Sequence, residues 1–153
     1  MKILIIEDDP NKSRELMRFV REDLLQGDVT ERRSYQSGLQ AAVELKPRLI
    51  LLDMSMPTYD ISSLEKGGRP RPFSGYDILA ELKRRNLAVG VVVVTQFESF
   101  GTGEETQSLD ELAAKMGAEF EGRYWGTVFY EPSESGWRNK LREIVQRRLK
   151  RDD

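Results

Sequence analysis

Ile3-Leu4-Ile5-Ile6 runs straight into Glu7-Asp8-Asp9, and Leu49-Ile50-Leu51-Leu52 runs straight into Asp53; these two stretches decide the fold. Each apolar run is short and does not alternate, the pattern of a strand covered on both faces. A carboxylate just past such a strand is costly to bury, so it belongs at the mouth of a sheet. In an open parallel α/β sheet that mouth is the carboxyl edge, where ligands bind. Taken singly, each acid reads as an ordinary loop or helix-capping residue. Two clusters, each after an apolar strand, point instead to a hard-oxygen site for a divalent cation. If the two strands are neighbours, Asp8 and Asp53 reach one ion, with Glu7 or Asp9 helping directly or through water. Mg²⁺ is the natural occupant, since it accepts one or two carboxylates and keeps waters.

The rest of the chain extends the pattern. A strand at 2–6 is followed by a helix opening at Pro10 or Asn11, carrying Leu16, Phe19, Val20 and Leu24, and stopped by Gly27. Residues 28–35 form a weaker strand whose charges predict an edge or half-exposed position. A helix at 37–46 ends before Pro47, and 49–52 is the second apolar strand. Further helices are expected at 75–85 and 109–116, the latter closed by Gly117. The β-branched run 89–95 reads as a central strand, and 127–130 as the last. Trp137, Leu141, Ile144, Val145 and Leu149 mark a C-terminal helix. Strand and helix thus alternate five times, which with right-handed crossovers gives a doubly wound α/β/α sandwich on a five-stranded parallel sheet. Residues 58–74 are the exception. They hold Gly67, Gly68, Pro70 and Pro72 with Lys66, Arg69 and Arg71, have no periodicity, and read as an inserted loop in one domain spanning 1–153.

Composition narrows the chemistry. At 153 residues, 39% hydrophobic and 33% charged, the chain fits one globular domain with a real core. It has no cysteine and no histidine, so disulfides, thiol catalysis, thiolate metal sites and imidazole acid–base chemistry are absent, and a bound metal must be held by oxygen. A net charge of −2 gives no global pull toward nucleic acid or acidic membranes. The opening apolar run is too short for a signal peptide or a membrane span, so a cytoplasmic location without membrane attachment is expected. The basic C-terminal helix (Arg138, Lys140, Arg142, Arg147, Arg148, Lys150, Arg151) reads as a solvated outer face rather than a nucleic-acid patch.

Three segments together resemble the receiver domain of bacterial two-component response regulators: Ile3 through Pro10, Leu51-Leu52-Asp53-Met54-Ser55-Met56-Pro57, and Val92-Val93-Val94-Thr95. The resemblance covers the first two thirds of the chain. It implies a flavodoxin-like, CheY-like fold and a phosphorelay function, in which a sensor histidine kinase or phosphotransfer protein phosphorylates Asp53 with Mg²⁺. It maps the metal ligands to Glu7, Asp8, Asp53 and the backbone carbonyl of Ser55, with Asp8 the direct acidic ligand. It makes Thr95 the hydroxyl that contacts the phosphoryl group and moves the loop behind it. The implied protein is a signalling module rather than an enzyme, with output by binding an unidentified downstream protein through Thr95, residues 96–106 and the last strand; a homodimer is compatible with this. The physics agrees, because a carboxylate attacks an anionic phosphate poorly until a bound cation offsets the repulsion.

The pattern breaks after Thr95. The family carries a lysine, usually followed by proline, after its fifth strand; here Glu131-Pro132 stands there, and no lysine lies between Met116 and Lys140. Arg123 or a basic residue of the 58–74 loop is then the alternative source of a cation. Gln96 replaces a small residue and predicts restricted access to Asp53. Val128 falls near the aromatic switch position, with Phe129 or Tyr130 as substitutes in another register, and 120–125 reads as extra material before the last strand. These departures support a second reading, a degenerate receiver that binds its partner without phosphorylation. An aspartyl-phosphate phosphatase is disfavoured, since it would need a second aspartate at position 55, which is serine. A flavodoxin is disfavoured because the acidic mouth would repel a flavin phosphate.

Overall fold

The computed structural model describes residues 1–60 and 71–151. Five strands, β1 (Ile3–Ile6), β2 (Val29–Arg32), β3 (Leu49–Leu52), β4 (Gly90–Thr95) and β7 (Tyr124–Phe129), form one parallel sheet in the order β2-β1-β3-β4-β7. Five helices connect and cover them: α1 (Pro10–Glu22), α2 (Tyr35–Leu45), α3 (Ser74–Arg84), α4 (Leu109–Glu119) and α5 (Gly136–Arg151). This is the doubly wound α/β/α architecture expected from the alternation, and it is the flavodoxin-like fold that the receiver resemblance implies. Between β4 and α4 lies a small antiparallel ribbon, β5 (Ser99–Phe100) with β6 (Gln107–Ser108).

The parallel strands are buried on both faces, and alternate residues divide between two cores. Leu4, Ile6, Ile50, Leu52, Val91 and Val93 pack with Ile78, Leu79, Leu82, Leu112 and Met116 of α3 and α4. Ile3, Ile5, Leu49, Leu51, Val92 and Val94 pack with Leu16, Phe19, Val20, Trp137, Leu141 and Val145 of α1 and α5. The sheet order reverses between β1 and β3, and the register pairs Ile6 with Leu52. The residues that follow, Glu7 and Asp53, therefore emerge side by side at the switch point where such sheets bind ligands.

Several boundaries differ from expectation. α1 ends at Glu22 rather than Gly27: Leu25 takes the left-handed conformation (φ 55°), and the Leu24 and Gln26 amides close back on Phe19 and Val20. α4 continues through Gly117 to Glu119, because Gly117 has room and Met116 and Phe120 anchor that turn in the core. Of the segment 120–125 expected before the last strand, Tyr124 and Trp125 instead begin β7, where the register shifts against β4 between Val91 and Val92. The irregularity lets the Trp125 ring lie against Gly90 and under the Arg48 guanidinium, 5.1 Å from its centroid. Of the expected 58–74 loop, residues 61–70 lie outside the described residues; Arg71 pairs back onto Met56, and Ser74 opens α3.

A candidate phosphoryl and metal site

Glu7, Asp8 and Asp53 each offer a carboxylate oxygen within 4.8 Å of the others. β1 delivers the first two and β3 the third, and the Asp53 amide donates to the Ile6 carbonyl at 3.0 Å. Glu7 and Asp53 are buried and Asp8 is half-buried. Asp9 does not join them. It is the N-cap of α1, its side chain accepting from the Asn11 amide at 2.9 Å and the Lys12 amide at 3.4 Å, so its expected help with a metal is not borne out.

Sequence reasoning missed the pocket's cation, Lys12. In the first turn of α1 its side chain is 1% exposed, with Nζ 2.6 Å from Glu7 Oε1 and 3.3 Å from Asp53 Oδ1, and it donates to the Val94 carbonyl at 2.6 Å. An ammonium in a first helical turn runs against the helix dipole, so its carboxylate partners are what hold it there. The available signal was its position, one helical turn past the acidic cluster; a lysine near a helix start otherwise reads as solvated. The other expected cations lie elsewhere. Arg123 donates to the Leu87 carbonyl and to Asn86 Oδ1, beyond the amino end of β4. Arg71 pairs with Asp77 at 2.7 Å and covers the Tyr35 ring, while Lys66 and Arg69 lie outside the described residues. Glu131, at the position of the family lysine, accepts from Ser133 Oγ and is partly exposed.

The electrostatics follow from crowding. Burial, the Asp53 charge and a hydrogen bond with Asp53 push the Glu7 carboxyl up to about 10, against the pull of Lys12. Burial and Asp53 also raise Asp8. Burial alone would lower Lys12, but Asp53 and Glu7 together hold it above its ordinary value. Three carboxyl groups thus crowd one ammonium, and a divalent cation would offset the negative charge they carry when ionised. The donor set is all oxygen, which fits Mg²⁺.

The loop after Asp53 is held by α3. The Met54 amide caps Asp53 Oδ1 at 2.8 Å, the Gly75 amide donates to the Met54 carbonyl, and the Met56 amide donates to Ser74 Oγ. The Met56 carbonyl accepts from Arg71, whereas the Ser55 carbonyl between them has no hydrogen-bond partner among the described residues. Thr95, fully buried at the end of β4, accepts the Phe97 amide on Oγ1 at 3.3 Å. Val128 is buried in the core, Phe129 is exposed, and Tyr130 packs on Trp137 with its ring centroid 5.8 Å from Lys12 Nζ.

No protein-family model matches the chain. Among solved structures, a response regulator receiver domain from Clostridium thermocellum matches with a TM-score of 0.64 at 20% identity, over 99% of this chain and 95% of that one. The isolated receiver domain of RcsB from Salmonella enterica serovar Typhimurium, determined with the phosphomimetic beryllofluoride, matches with a TM-score of 0.61 at 16% identity, over 96% and 88%. These likenesses define a receiver fold. In sequence, the chain is 30% identical over 143 residues to the Detocs response regulatory protein DtcB of Enterobacter cloacae (strain JD6301), covering 92% of this chain and 95% of that protein. It is 28% identical over 144 residues to the uncharacterized protein y4jR of Sinorhizobium fredii (strain NBRC 101917 / NGR234). The chain belongs to the response regulator family. Its general function is that of a signal receiver. No described helix is long and apolar enough to cross a membrane.

Proposed function

We propose that the chain is a cytoplasmic receiver domain, spanning 1–153, that takes a phosphoryl group on Asp53 in the presence of Mg²⁺ and signals by binding another protein. The observation that carries this reading is the convergence of the Glu7, Asp8 and Asp53 carboxylates at the switch point of the sheet. Asp8, Asp53 and the Ser55 carbonyl would hold the metal, with Glu7 assisting once it is ionised. Bound there, the ion offsets the charge of carboxylate and phosphate and so lowers the barrier to their approach.

The remaining chemistry belongs to the chain. An Asp53 carboxylate oxygen attacks phosphorus in line. The P–N bond to the donor's phosphohistidine breaks, and the donor nitrogen keeps the electron pair. The Met54 amide holds Asp53 Oδ1, which leaves Oδ2 as the attacking atom. The new phosphoryl oxygens then compete with Phe97 for Thr95, whose hydroxyl turns from accepting the amide to donating to phosphate. That frees the start of the segment leading to the β5–β6 ribbon, which with the exposed Phe97 and Phe129 forms the output surface. A histidine kinase or phosphotransfer protein is the phosphoryl source, and the downstream partner is a protein rather than nucleic acid.

Intact mass spectrometry after phosphoramidate and Mg²⁺ tests the reading. One added phosphoryl group, absent in Asp53→Asn and absent after chelation, is expected. No addition, or addition that survives Asp53→Asn, contradicts it.

The Lys12–Asp53 pair also favours a second reading, in which the pocket is closed by its own ammonium and the chain binds its partner without phosphorylation. In that case Asp53→Ala leaves partner binding unchanged.

A further inference from the structure

We propose that Lys12 is the cation that grips the phosphoryl group on Asp53, delivered from the first turn of α1 instead of from the loop after the last strand. The inference rests on the phosphorylation reading above and adds a residue to it. Among the described residues, the one ammonium or guanidinium paired with Asp53 is Lys12. Its ammonium donates to the Val94 carbonyl and lies 2.6 Å from Glu7 Oε1 and 3.3 Å from Asp53 Oδ1. The position after β7 offers the opposite charge, Glu131, whose carboxylate accepts from Ser133 Oγ.

Phosphorylation relocates the negative charge that Lys12 faces. The Asp53 carboxylate becomes a neutral acyl oxygen, and the charge moves outward onto the phosphoryl oxygens. A primary ammonium on a flexible four-carbon stem follows such a move without backbone rearrangement. Glu7 and Val94 bracket it on either side, which keeps it within reach of the group attached to Asp53. The same contacts mean that Lys12 and a metal ion are like charges around one carboxylate. Lys12 therefore assists the phosphoryl group while opposing the metal, and the two effects are separable.

The test measures two affinities in wild type and Lys12→Met: Mg²⁺ alone, and beryllofluoride at saturating Mg²⁺. Trp137 fluorescence reports both, since Trp137 packs on Tyr130 and Tyr130 faces Lys12. The expected result is a loss of beryllofluoride affinity of about tenfold or more, with Mg²⁺ affinity unchanged or tightened. Unchanged beryllofluoride affinity overturns the proposal, and so does a parallel loss of both affinities, which would mark Lys12 as structural. If Lys12→Met fails to fold, the comparison is Glu7→Gln against Glu7→Gln/Lys12→Met, where a neutral amide replaces the carboxyl beside Lys12; the same split is expected. Wild type that binds neither probe defeats the phosphorylation reading itself and this inference with it. Wild type that binds both, with an unaffected variant, defeats the inference alone.

Discussion

A Cβ placed on Gly75 would stand 2.7 Å from the Asp53 carbonyl oxygen and 2.9 Å from Met54 Cα. The first turn of α3 is thus pressed against the backbone that carries the phosphoacceptor, and the Gly75 amide is bonded to the Met54 carbonyl. The obstructing atoms are backbone and cannot swing away.

Gly75→Ala therefore forces the 53–54 backbone outward. We expect a loss of about 1–3 kcal/mol in stability by chemical denaturation, the usual range for overpacking. Slower phosphorylation of the folded fraction should accompany it, because Asp53 is displaced from Asp8. Wild-type rates in a destabilised Gly75→Ala protein would show that the loop position does not matter to the chemistry.

Glu7 makes the metal-free protein sensitive to alkali. Its folded-state carboxyl sits near 10 against an ordinary value of 4.5, so folding favours its protonated form. That contribution is complete below the ordinary value and is lost as pH rises toward the folded value. Melting temperature in a chelator should fall between about pH 5 and pH 10. Glu7→Gln, which cannot titrate, should flatten that slope. Because the ion competes with the Glu7 proton, Mg²⁺ affinity should rise with pH over the same window, with proton release on binding measurable by calorimetry in buffers of different ionisation enthalpy.

Much of this arrangement is readable in the chain before folding. Apolar runs that end in carboxylates state both the strand and its exposed end, so β1, β3, Glu7, Asp8 and Asp53 follow from local pattern. Lys12 does not, because its burial depends on two strands distant in sequence, and helix-start lysines are ordinarily solvated. Asp9, an alternative to Glu7 as a helper at the metal, caps the amides of its own helix instead. The β5–β6 ribbon is invisible to periodicity, since two residues do not make a period. Trp125 lies outside the strand expected at 127–130, yet it belongs to β7 and its ring covers Gly90.

That last contact predicts a stability effect far from the site. A Cβ on Gly90 would stand 2.0 Å from the Trp125 ring, which is itself held beneath Arg48. Gly90→Ala should displace the indole and lower stability by about 1–3 kcal/mol, while Mg²⁺ affinity stays at the wild-type value. A matching fall in Mg²⁺ affinity would mean that the two ends of the sheet are coupled.

Thr95→Ala removes the acceptor of the Phe97 amide and the hydroxyl offered to phosphate. Mg²⁺ binding should survive unchanged. The change in hydrogen exchange that beryllofluoride induces across residues 96–108 should disappear, and Thr95→Ser should restore it. Persistence of that change in Thr95→Ala would place the trigger for loop movement elsewhere.

The most direct measurement is a crystal structure grown with Mg²⁺ and beryllofluoride. The account predicts an octahedral ion touching Asp8, Asp53 and the Ser55 carbonyl, with beryllofluoride on Asp53 contacted by Lys12 Nζ and Thr95 Oγ1. A pocket in which Lys12 still bridges Glu7 and Asp53, with no ion and no beryllofluoride, would contradict it.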